Sequence, residues 1–373
     1  MSIPAMESPE QTTARLRAIA EAETAAMVAT GEAEAVGLTG SLSTGRLWPS
    51  SDLDILIITE RPVENPFRWT VRNGVVIHGV LEPWETAEGL RDGYPASVVD
   101  QASGKWILDA TWALDGLVAM EPLHDPAGRL ATLRAFMTPR RFALEVVRPR
   151  RPRLLARAKA EHRASLESYP KEPWTGVWLH RCAIDVLAIL WLEAGQRIVS
   201  HKELDPGLGE IGDRLGAPEL RGLFRRAEGV EDVPVRRDAI VRAFGDLLGL
   251  YSGSLDDLLT LYPTGDPAVD RTIADCVYAR HTIQSVPHAL ERSCLLHLGS
   301  VNETLHEHDL ARVPRIAAER RPPGHAPAHP VSGDQLLAAR DRACAALSLA
   351  PWEAQTAAVD ELILFTERAF PEE

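Results

Sequence analysis

The sequence has 373 residues, of which 45% are hydrophobic and 25% are charged, a composition that excludes a largely disordered chain and predicts two domains rather than one core. Its 53 acidic and 40 basic residues give a formal net charge of −13, so the surface repels a nucleic-acid backbone and attracts cations. These values argue against a dedicated DNA- or RNA-binding protein and favour a cationic substrate.

The cysteines and the apolar stretches bear on localisation. The four cysteines are far apart and form no CxxC pair, which excludes a zinc ribbon or a disulfide framework and is typical of a reducing compartment. No basic segment followed by an apolar run opens the sequence, so we expect no secretory signal. The longest apolar stretch, residues 182–192, is broken by Asp185 and is too short to span a bilayer. We therefore expect a cytoplasmic protein with no membrane partner.

The first 137 residues alternate between strand and helix patterns. Ser8, Pro9 and Glu10 provide a helix start, and Gly31 follows the last turn predicted for that helix. Short apolar runs predict the strands 35–39, 53–58, 75–82 and 117–120, and the further helices are predicted at 84–90 and 130–136. This order predicts an α/β (α+β) domain with a mixed sheet over residues 1–137.

Helical periodicity dominates from residue 138 onward. We interpret the Arg- and Pro-rich stretch 147–153 as an exposed connection, with anion binding as the alternative, and 320–333 as a loop. The predicted helices are 153–167, 174–194, 218–227, 235–249, 273–286, 289–310, 334–349 and 352–370. Residues 138–373 are therefore predicted to form an all-α helical-bundle domain that binds substrate.

The residues with the clearest chemistry lie between Gly40 and Asp54. A predicted strand ends at Gly40 and Ser41, where small residues allow backbone N–H groups and a hydroxyl to approach a phosphate closely. Asp52 and Asp54 follow at the edge of the next strand, and their spacing of two puts both carboxylates on one face. Such carboxylates, opposite a phosphate-binding turn, can hold Mg²⁺ between the protein and a nucleoside triphosphate.

This pattern resembles the motif of the DNA polymerase β superfamily of nucleotidyltransferases, in which Gly-Ser is followed, after a short helix, by Ser-Asp-x-Asp. It is most similar to the aminoglycoside (antibiotic) and minimal nucleotidyltransferases, and the resemblance covers residues 30–137. The positions in register are Gly40, Ser41, Gly45, Ser51, Asp52 and Asp54. Ser43 and Thr44 stand where the family has Ala-Arg, and Arg46 supplies a positive charge two residues later.

The resemblance implies roles for these residues. The implied metal ligands are Asp52 and Asp54, and the implied nucleotide-binding residues are Gly40, Ser41, Arg46 and Ser51. The implied cofactor is Mg²⁺ or Mn²⁺, with ATP or another NTP as co-substrate.

The family also implies a third carboxylate on a neighbouring strand, and three interpretations remain open for it. His78 occupies the expected position, and a neutral imidazole can bind a metal or accept a proton. Glu82 lies on the same strand face, about 13 Å further along, and reaches the site only if the register shifts. In the third interpretation the acid is absent, and the domain binds nucleotide with weak transfer or none.

The helical domain is expected to complete the site. In antibiotic nucleotidyltransferases, later helices contribute an acid that acts on the substrate hydroxyl and a lysine that binds the triphosphate. Residues 182–204 look similar to that region, and Asp185 and Lys202 would correspond. The alternatives are an ion pair between Arg181 and Asp185 and a solvated loop lysine.

These observations predict a metal-dependent nucleotidyltransferase. We expect transfer of a nucleoside monophosphate, AMP from ATP, to a hydroxyl of a small cationic acceptor such as an aminoglycoside, with no nucleic-acid partner. The alternative is a non-catalytic or regulatory protein with the nucleotidyltransferase fold, which binds nucleotide or a protein partner, or which modifies a protein. A nucleic-acid polymerase is disfavoured by the net charge.

Overall fold

The computed structural model describes residues 8–45, 47–61, 63, 67–97, 117–169, 175–195, 204–320, 331–347 and 351–371. The chain divides into two compact units: the first comprises Met1–Leu154 and Ala188–Ser200, and the second comprises Leu155–Leu187 and His201–Glu373. The domain boundary that the sequence predicts after residue 137 stays a prediction.

The first unit contains a five-stranded mixed sheet. Its strands are β1 (Ala35–Thr39), β2 (Leu53–Thr59), β3 (Phe67–Arg72), β4 (Val75–Pro83) and β5 (Glu121–His124), in the order β3-β4-β2-β1-β5. Strands β2 and β4 pair in parallel, and the other pairs are antiparallel. The sheet confirms the α/β (α+β) fold class predicted for this domain.

Helices cover both faces of this sheet. They are α1 (Pro9–Ala29), α2 (Gly40–Thr44), α3 (Trp84–Asp92) and α4 (Arg129–Met137). Along β2, Ile55 and Ile57 belong to the core that includes α1, whereas Leu56 and Ile58 belong to the core that includes α3 and α4. A strand buried on both faces must be apolar at nearly every position, because successive side chains point to opposite faces. The continuous apolar run in β2 therefore follows from its central place in the sheet.

The start of α1 is stabilised by a capping box. The Ser8 hydroxyl accepts a hydrogen bond from the Gln11 backbone N–H at 3.2 Å, and the Gln11 side chain accepts one from the Ser8 backbone N–H at 2.9 Å. The helix therefore begins where the sequence predicts it, with two otherwise unsatisfied donors paired.

Two details of the sheet differ from the sequence prediction. The strand predicted at 117–120 is wrong: residues 117–119 are helical, and the strand at this point is β5, which follows Met120. Leu117 and Met120 are apolar because they are buried in the core, whereas β5 is a half-buried edge strand that needs no apolar run. Strand β3 was not predicted, although Asn73 and Gly74 both have positive φ and form the two-residue turn of a hairpin with β4.

The rest of the described chain is helical. Its α-helices are α5 (Leu144–Ser168), α6 (Thr175–Glu193), α7 (Leu204–Leu215), α8 (Leu220–Ala227), α9 (Arg237–Leu259), α10 (Pro267–Glu291), α11 (His297–Glu307), α12 (Arg312–Arg320), α13 (Gly333–Leu347) and α14 (Trp352–Ala369). These bounds confirm a mostly helical region after the sheet domain. None of the helices built from described residues has the length and apolarity of a membrane-spanning segment.

Two expectations for the helical region are corrected. The stretch 147–153 is not a connection but lies inside α5, with Pro149 and Pro152 in the helix. An internal proline costs about 3 kcal/mol, yet the helix continues through both prolines, and Val147 and Arg150 of the same stretch are buried. The helix predicted at 289–310 is interrupted, because Ser293 adopts a φ of 56°. Helices α7 and α12 were not predicted, and the loop predicted at 320–333 lies largely outside the described residues.

The second unit, called the helical unit below, contains a buried histidine–glutamate pair. Nδ1 of His180 on α6 lies 2.7 Å from Oε2 of Glu228, just after α8, and its Nε2 lies 3.3 Å from Oγ of Ser300 on α11. Burial lowers the pKa of His180, but the Glu228 carboxylate outweighs this effect, so the pKa is raised overall. A Cβ added at Gly299 would lie 2.3 Å from Oε2 of Glu228. Polar side chains thus join three helical elements of this unit.

Candidate active site

The strand register brings three sequence-predicted residues together. Asp52 directly precedes β2, Asp54 is the second residue of that strand, and His78 is the fourth residue of β4. In the parallel pairing of β2 with β4, Asp54 stands opposite His78. On its other side Asp54 pairs with Thr39, which directly precedes Gly40. The cluster therefore lies where β1 ends and β2 begins.

The three side chains are close enough to share one cation. Nδ1 of His78 lies 3.3 Å from Oδ2 of Asp52 and 3.5 Å from Oδ1 of Asp54. One ligand atom from each residue lies within 4.8 Å of the other two. All three residues are half-buried, which leaves the cluster accessible while the surrounding protein lowers the local dielectric. Two carboxylates and an imidazole are a donor set that fits a divalent metal ion.

Trp69 on β3 holds the imidazole of His78 in place. It is the antiparallel partner of His78, and the two ring centroids lie 3.8 Å apart at an interplanar angle of 49°. The sequence interpretation missed Trp69 because it missed β3; the Asn73-Gly74 turn signal before β4 was the information that could have revealed it. The contact restricts the rotation of the His78 ring while Nδ1 lies beside the two aspartates.

Gly40 accommodates the Asp54 carboxylate. Its φ is 67°, a left-handed conformation that glycine adopts without strain. A Cβ at this position would lie 2.0 Å from Oδ2 of Asp54 and 2.8 Å from its Cγ. A side chain at residue 40 would therefore clash with Asp54 in its observed position. This clash is a physical reason for the glycine at this position of the motif.

Ser41, the residue after Gly40, has a buried hydroxyl. It follows Gly40 in α2, and its Oγ has no hydrogen-bond partner among the described residues. The hydroxyls of Ser43 and Thr44, by contrast, donate to the Gly40 carbonyl at 3.0 and 3.2 Å. A buried hydroxyl without a partner costs about 1–3 kcal/mol, so the Ser41 hydroxyl is well suited to a polar ligand.

Ser51 shapes the turn that leads to Asp52. Its Oγ accepts a hydrogen bond from the backbone N–H of Trp48 at 3.0 Å, and its own N–H donates to the Trp48 carbonyl at 2.9 Å. Ser51 and Trp48 are both buried. This serine therefore orders the segment that positions Asp52, and a direct role in nucleotide binding stays a prediction.

The register separates Glu82 from the cluster. Glu82 pairs with Ile58, four residues along the sheet from the pair formed by Asp54 and His78, and it is buried. Four residues of strand correspond to about 13 Å. The register shift that would bring Glu82 level with the two aspartates is not observed, and His78, not Glu82, lies opposite Asp54.

Asp185 lies on α6 in the helical unit and forms an ion pair with Arg157 of α5. Burial raises the pKa of Asp185 although Arg157 opposes this effect. Burial and the neighbouring Asp185 carboxylate raise the pKa of Glu161, also on α5, to about 7. The alternative interpretation of the sequence predicted an ion pair between Asp185 and Arg181. Arg181 instead pairs with Glu303 at 2.8 Å.

Two further predicted residues, Arg46 and Lys202, lie outside the described residues. Their roles in binding the triphosphate stay predictions.

Comparison with known proteins finds a family match within the sheet domain. Residues 29–95 match the family model of the nucleotidyltransferase domain, a span that contains the Gly40–Ser41 turn, both aspartates and His78. The match is consistent with the polymerase β superfamily that the motif resembles. A search of curated proteins found no significant relative.

Proposed function

We propose that the nucleotidyltransferase domain at residues 29–95 transfers a nucleoside monophosphate from an NTP to a hydroxyl group, with a divalent metal ion bound by Asp52, Asp54 and His78. The observation that carries the proposal is the arrangement of these three side chains, whose ligand atoms lie within 4.8 Å of one another. Generic nucleotidyl transfer is supported by this cluster and by the family match together.

Each residue of the cluster has a proposed task. Asp52, Asp54 and His78 would hold the metal ion, which when bound neutralises charge on the phosphate oxygens. Gly40 leaves the space that Asp54 occupies, and Ser41 offers its hydroxyl to a phosphate oxygen. The chain itself thereby orients the triphosphate, and such positioning is the main protein contribution to phosphoryl-type transfer.

The candidate for the group that receives the hydroxyl proton is Asp185. The resemblance supplies this candidate, and its raised pKa is compatible with a base. Its ion pair with Arg157 supports a structural role equally well. We keep Asp185 as the candidate base and propose Arg46 and Lys202 as triphosphate ligands.

The identity of the substrates is the finer part of the proposal. We propose ATP as the nucleotide and a small cationic molecule, such as an aminoglycoside, as the acceptor. The net charge of −13 supports a cationic acceptor, and the antibiotic-modifying enzymes that the motif resembles supply the analogy.

A second candidate is a regulatory protein that binds nucleotide without transferring it. The observation that favours it is the presence of His78 where the family has a third carboxylate. Under this alternative, a metal-dependent ATP-binding signal would disappear in Asp54→Asn, while no acceptor produces pyrophosphate.

The test is pyrophosphate release from each NTP, with Mg²⁺ or Mn²⁺, across a panel of aminoglycosides and other amino-sugar acceptors. We expect acceptor-dependent release that the double variant Asp52→Asn/Asp54→Asn abolishes. Glu60→Gln is the matched control, because this carboxylate directly follows β2 and pairs with Arg129 on the surface. Nucleotide binding without release under every condition would support the regulatory alternative.

A further inference from the structure

The donor set of the cluster points to a particular kind of metal ion. We propose that the site formed by Asp52, Asp54 and His78 selects Mn²⁺ over Mg²⁺ because one of its three ligands is an imidazole nitrogen. This inference rests on the proposed function, since it concerns the metal site of the same reaction.

The first step is the orientation of His78. Its Nδ1 lies 3.3 Å from Asp52 and 3.5 Å from Asp54, whereas its Nε2 is buried. Trp69 packs against the ring with the centroids 3.8 Å apart. The nitrogen that shares the cluster with the carboxylates is therefore Nδ1, and the packing of Trp69 keeps it there.

The second step is the position of His78 in the sheet. The parallel register places it opposite Asp54, at the level where a carboxylate on β4 would share a metal with the two aspartates. The acid further along this strand, Glu82, pairs with Ile58 and lies about 13 Å away. Among the described residues, the metal-ligating side chains grouped at this level thus supply two oxygen donors and one nitrogen donor.

Mg²⁺ and Mn²⁺ differ in the ligands that they bind well. Mg²⁺ is a hard ion that takes oxygen ligands and gives up its water reluctantly. Mn²⁺ shares the octahedral oxygen chemistry that phosphates and carboxylates require, and it belongs to the transition-metal series whose members bind mixed nitrogen and oxygen sites. Replacing one carboxylate by an imidazole also removes a negative charge, which weakens the electrostatic attraction for both ions equally. Only Mn²⁺ regains affinity from the nitrogen donor, so the exchange favours Mn²⁺.

A metal-free explanation for the same geometry is an ion pair between a protonated His78 and the two aspartates. In that case the imidazole donates a hydrogen bond to a carboxylate and never coordinates an ion. The two explanations differ in whether the His78 nitrogen is bound to the metal when Mn²⁺ is present.

The experiment measures metal binding directly. Mn²⁺ is titrated into the full-length protein, alone and with α,β-methylene ATP, and free Mn²⁺ is followed by its EPR signal while Mg²⁺ competes. The variants are His78→Asp, which restores three oxygen donors, and His78→Gln, which removes the imidazole and adds no charge. His124→Gln is the matched control, because His124 is a histidine of β5 in the same sheet. Circular dichroism confirms that each variant is folded.

We expect the preference of the wild type for Mn²⁺ over Mg²⁺ to exceed that of His78→Asp by about tenfold or more, since changing even a group that supports a metal ligand costs a site about 10- to 100-fold in affinity. Pulsed EPR of bound Mn²⁺ should show coupling to an imidazole nitrogen in the wild type and in His124→Gln, but not in His78→Gln. If the variants do not fold, the wild-type protein still tests the inference, because an absent nitrogen coupling or the absence of a preference for Mn²⁺ in the competition with Mg²⁺ would overturn it.

An absent nitrogen coupling, or equal preference in wild type and His78→Asp, would overturn the inference. If Asp54→Asn still abolished Mn²⁺ binding and pyrophosphate release continued in the wild type, the proposed function would survive this result. If the wild type bound no Mn²⁺ with or without the nucleotide analogue, both proposals would fall.

Discussion

Gly40→Ala tests whether Asp54 can occupy its position only because residue 40 has no side chain. The φ of 67° at Gly40 would cost an alanine about 1–2 kcal/mol. The added Cβ would lie 2.0 Å from Oδ2 and 3.0 Å from Cβ of Asp54. Because even the Asp54 Cβ is this close, rotation of the carboxylate relieves only part of the overlap, and overpacking adds about 1–3 kcal/mol. We expect a total loss of about 2–5 kcal/mol.

Gly45→Ala is the matched control for this change. Gly45 has a φ of 71°, and no atom of the described residues lies within 4 Å of a Cβ added there. It should therefore show only the backbone cost of about 1–2 kcal/mol. Urea unfolding followed by circular dichroism measures the free energy of unfolding of each variant, and a Mn²⁺ titration measures the integrity of the site.

The difference between the two variants isolates the collision with Asp54. We expect Gly40→Ala to be the less stable variant and to bind Mn²⁺ at least about tenfold more weakly than Gly45→Ala, since a displaced ligand costs a metal site 10- to 100-fold in affinity as an order of magnitude. Equal stability and equal Mn²⁺ affinity in the two variants would refute the reasoning that Gly40 is needed to seat Asp54.

Three further predictions concern stability and can be measured by urea unfolding. Burial and the Asp185 carboxylate raise the pKa of Glu161 from 4.5 to about 7. The folded protein therefore binds a proton at Glu161 more tightly than the unfolded chain does, so the free energy of unfolding should fall as the pH rises from 4.5 to about 7. Glu161→Gln should remove about 1–2 kcal/mol of that fall, after allowance for partial exposure, and an unchanged pH profile would contradict the assignment. Glu228→Gln removes the carboxylate that contacts Nδ1 of the buried His180 and should cost about 3–5 kcal/mol; a cost below about 1 kcal/mol would mean that the pair behaves like a surface contact. Ser8→Ala should cost about 1 kcal/mol through loss of the α1 cap, whereas an unaffected midpoint would show that the cap is not formed in solution.

The sequence pattern predicted the central part of the sheet because burial dictates it. Residues 53–58 are apolar at almost every position, as a strand covered on both faces must be. The edge strands are different: β3 and β5 are at most half-buried along the positions that the structure describes, so their side chains need not be apolar and hydrophobic patterning does not mark them. Tertiary position, which the local sequence does not record, decided these elements.

The helical region shows how packing overrides local preference. Pro149 and Pro152 disfavour a helix locally, yet both lie in α5, where neighbouring side chains are buried. In the opposite direction, Ser293 ends a helix that the apolar periodicity would continue, since the backbone adopts a positive φ there. Buried Asp205 accepts a hydrogen bond from the Leu295 backbone N–H at 2.9 Å just beyond this break, a long-range contact that periodicity cannot predict.

The candidate site was predictable where chemistry and spacing coincide. Asp52 and Asp54 could be predicted as site residues from their spacing in the motif. His78 could be predicted as a candidate from its position on the next apolar strand. The choice between His78 and Glu82 required the register between β2 and β4, which is set by the whole sheet rather than by either strand. To predict that Trp69 contacts His78, the β3–β4 hairpin would have had to be predicted first.

The most direct test of nucleotidyl transfer at this site follows the α-phosphate of the nucleotide. The protein is incubated with ATP labelled at the α-phosphate, an acceptor panel and Mg²⁺ or Mn²⁺, and the products are separated. We predict that label appears on an acceptor together with one equivalent of pyrophosphate, and that neither appears with Asp52→Asn/Asp54→Asn. Label transfer that persists in the double variant would contradict the assignment of the reaction to these two aspartates.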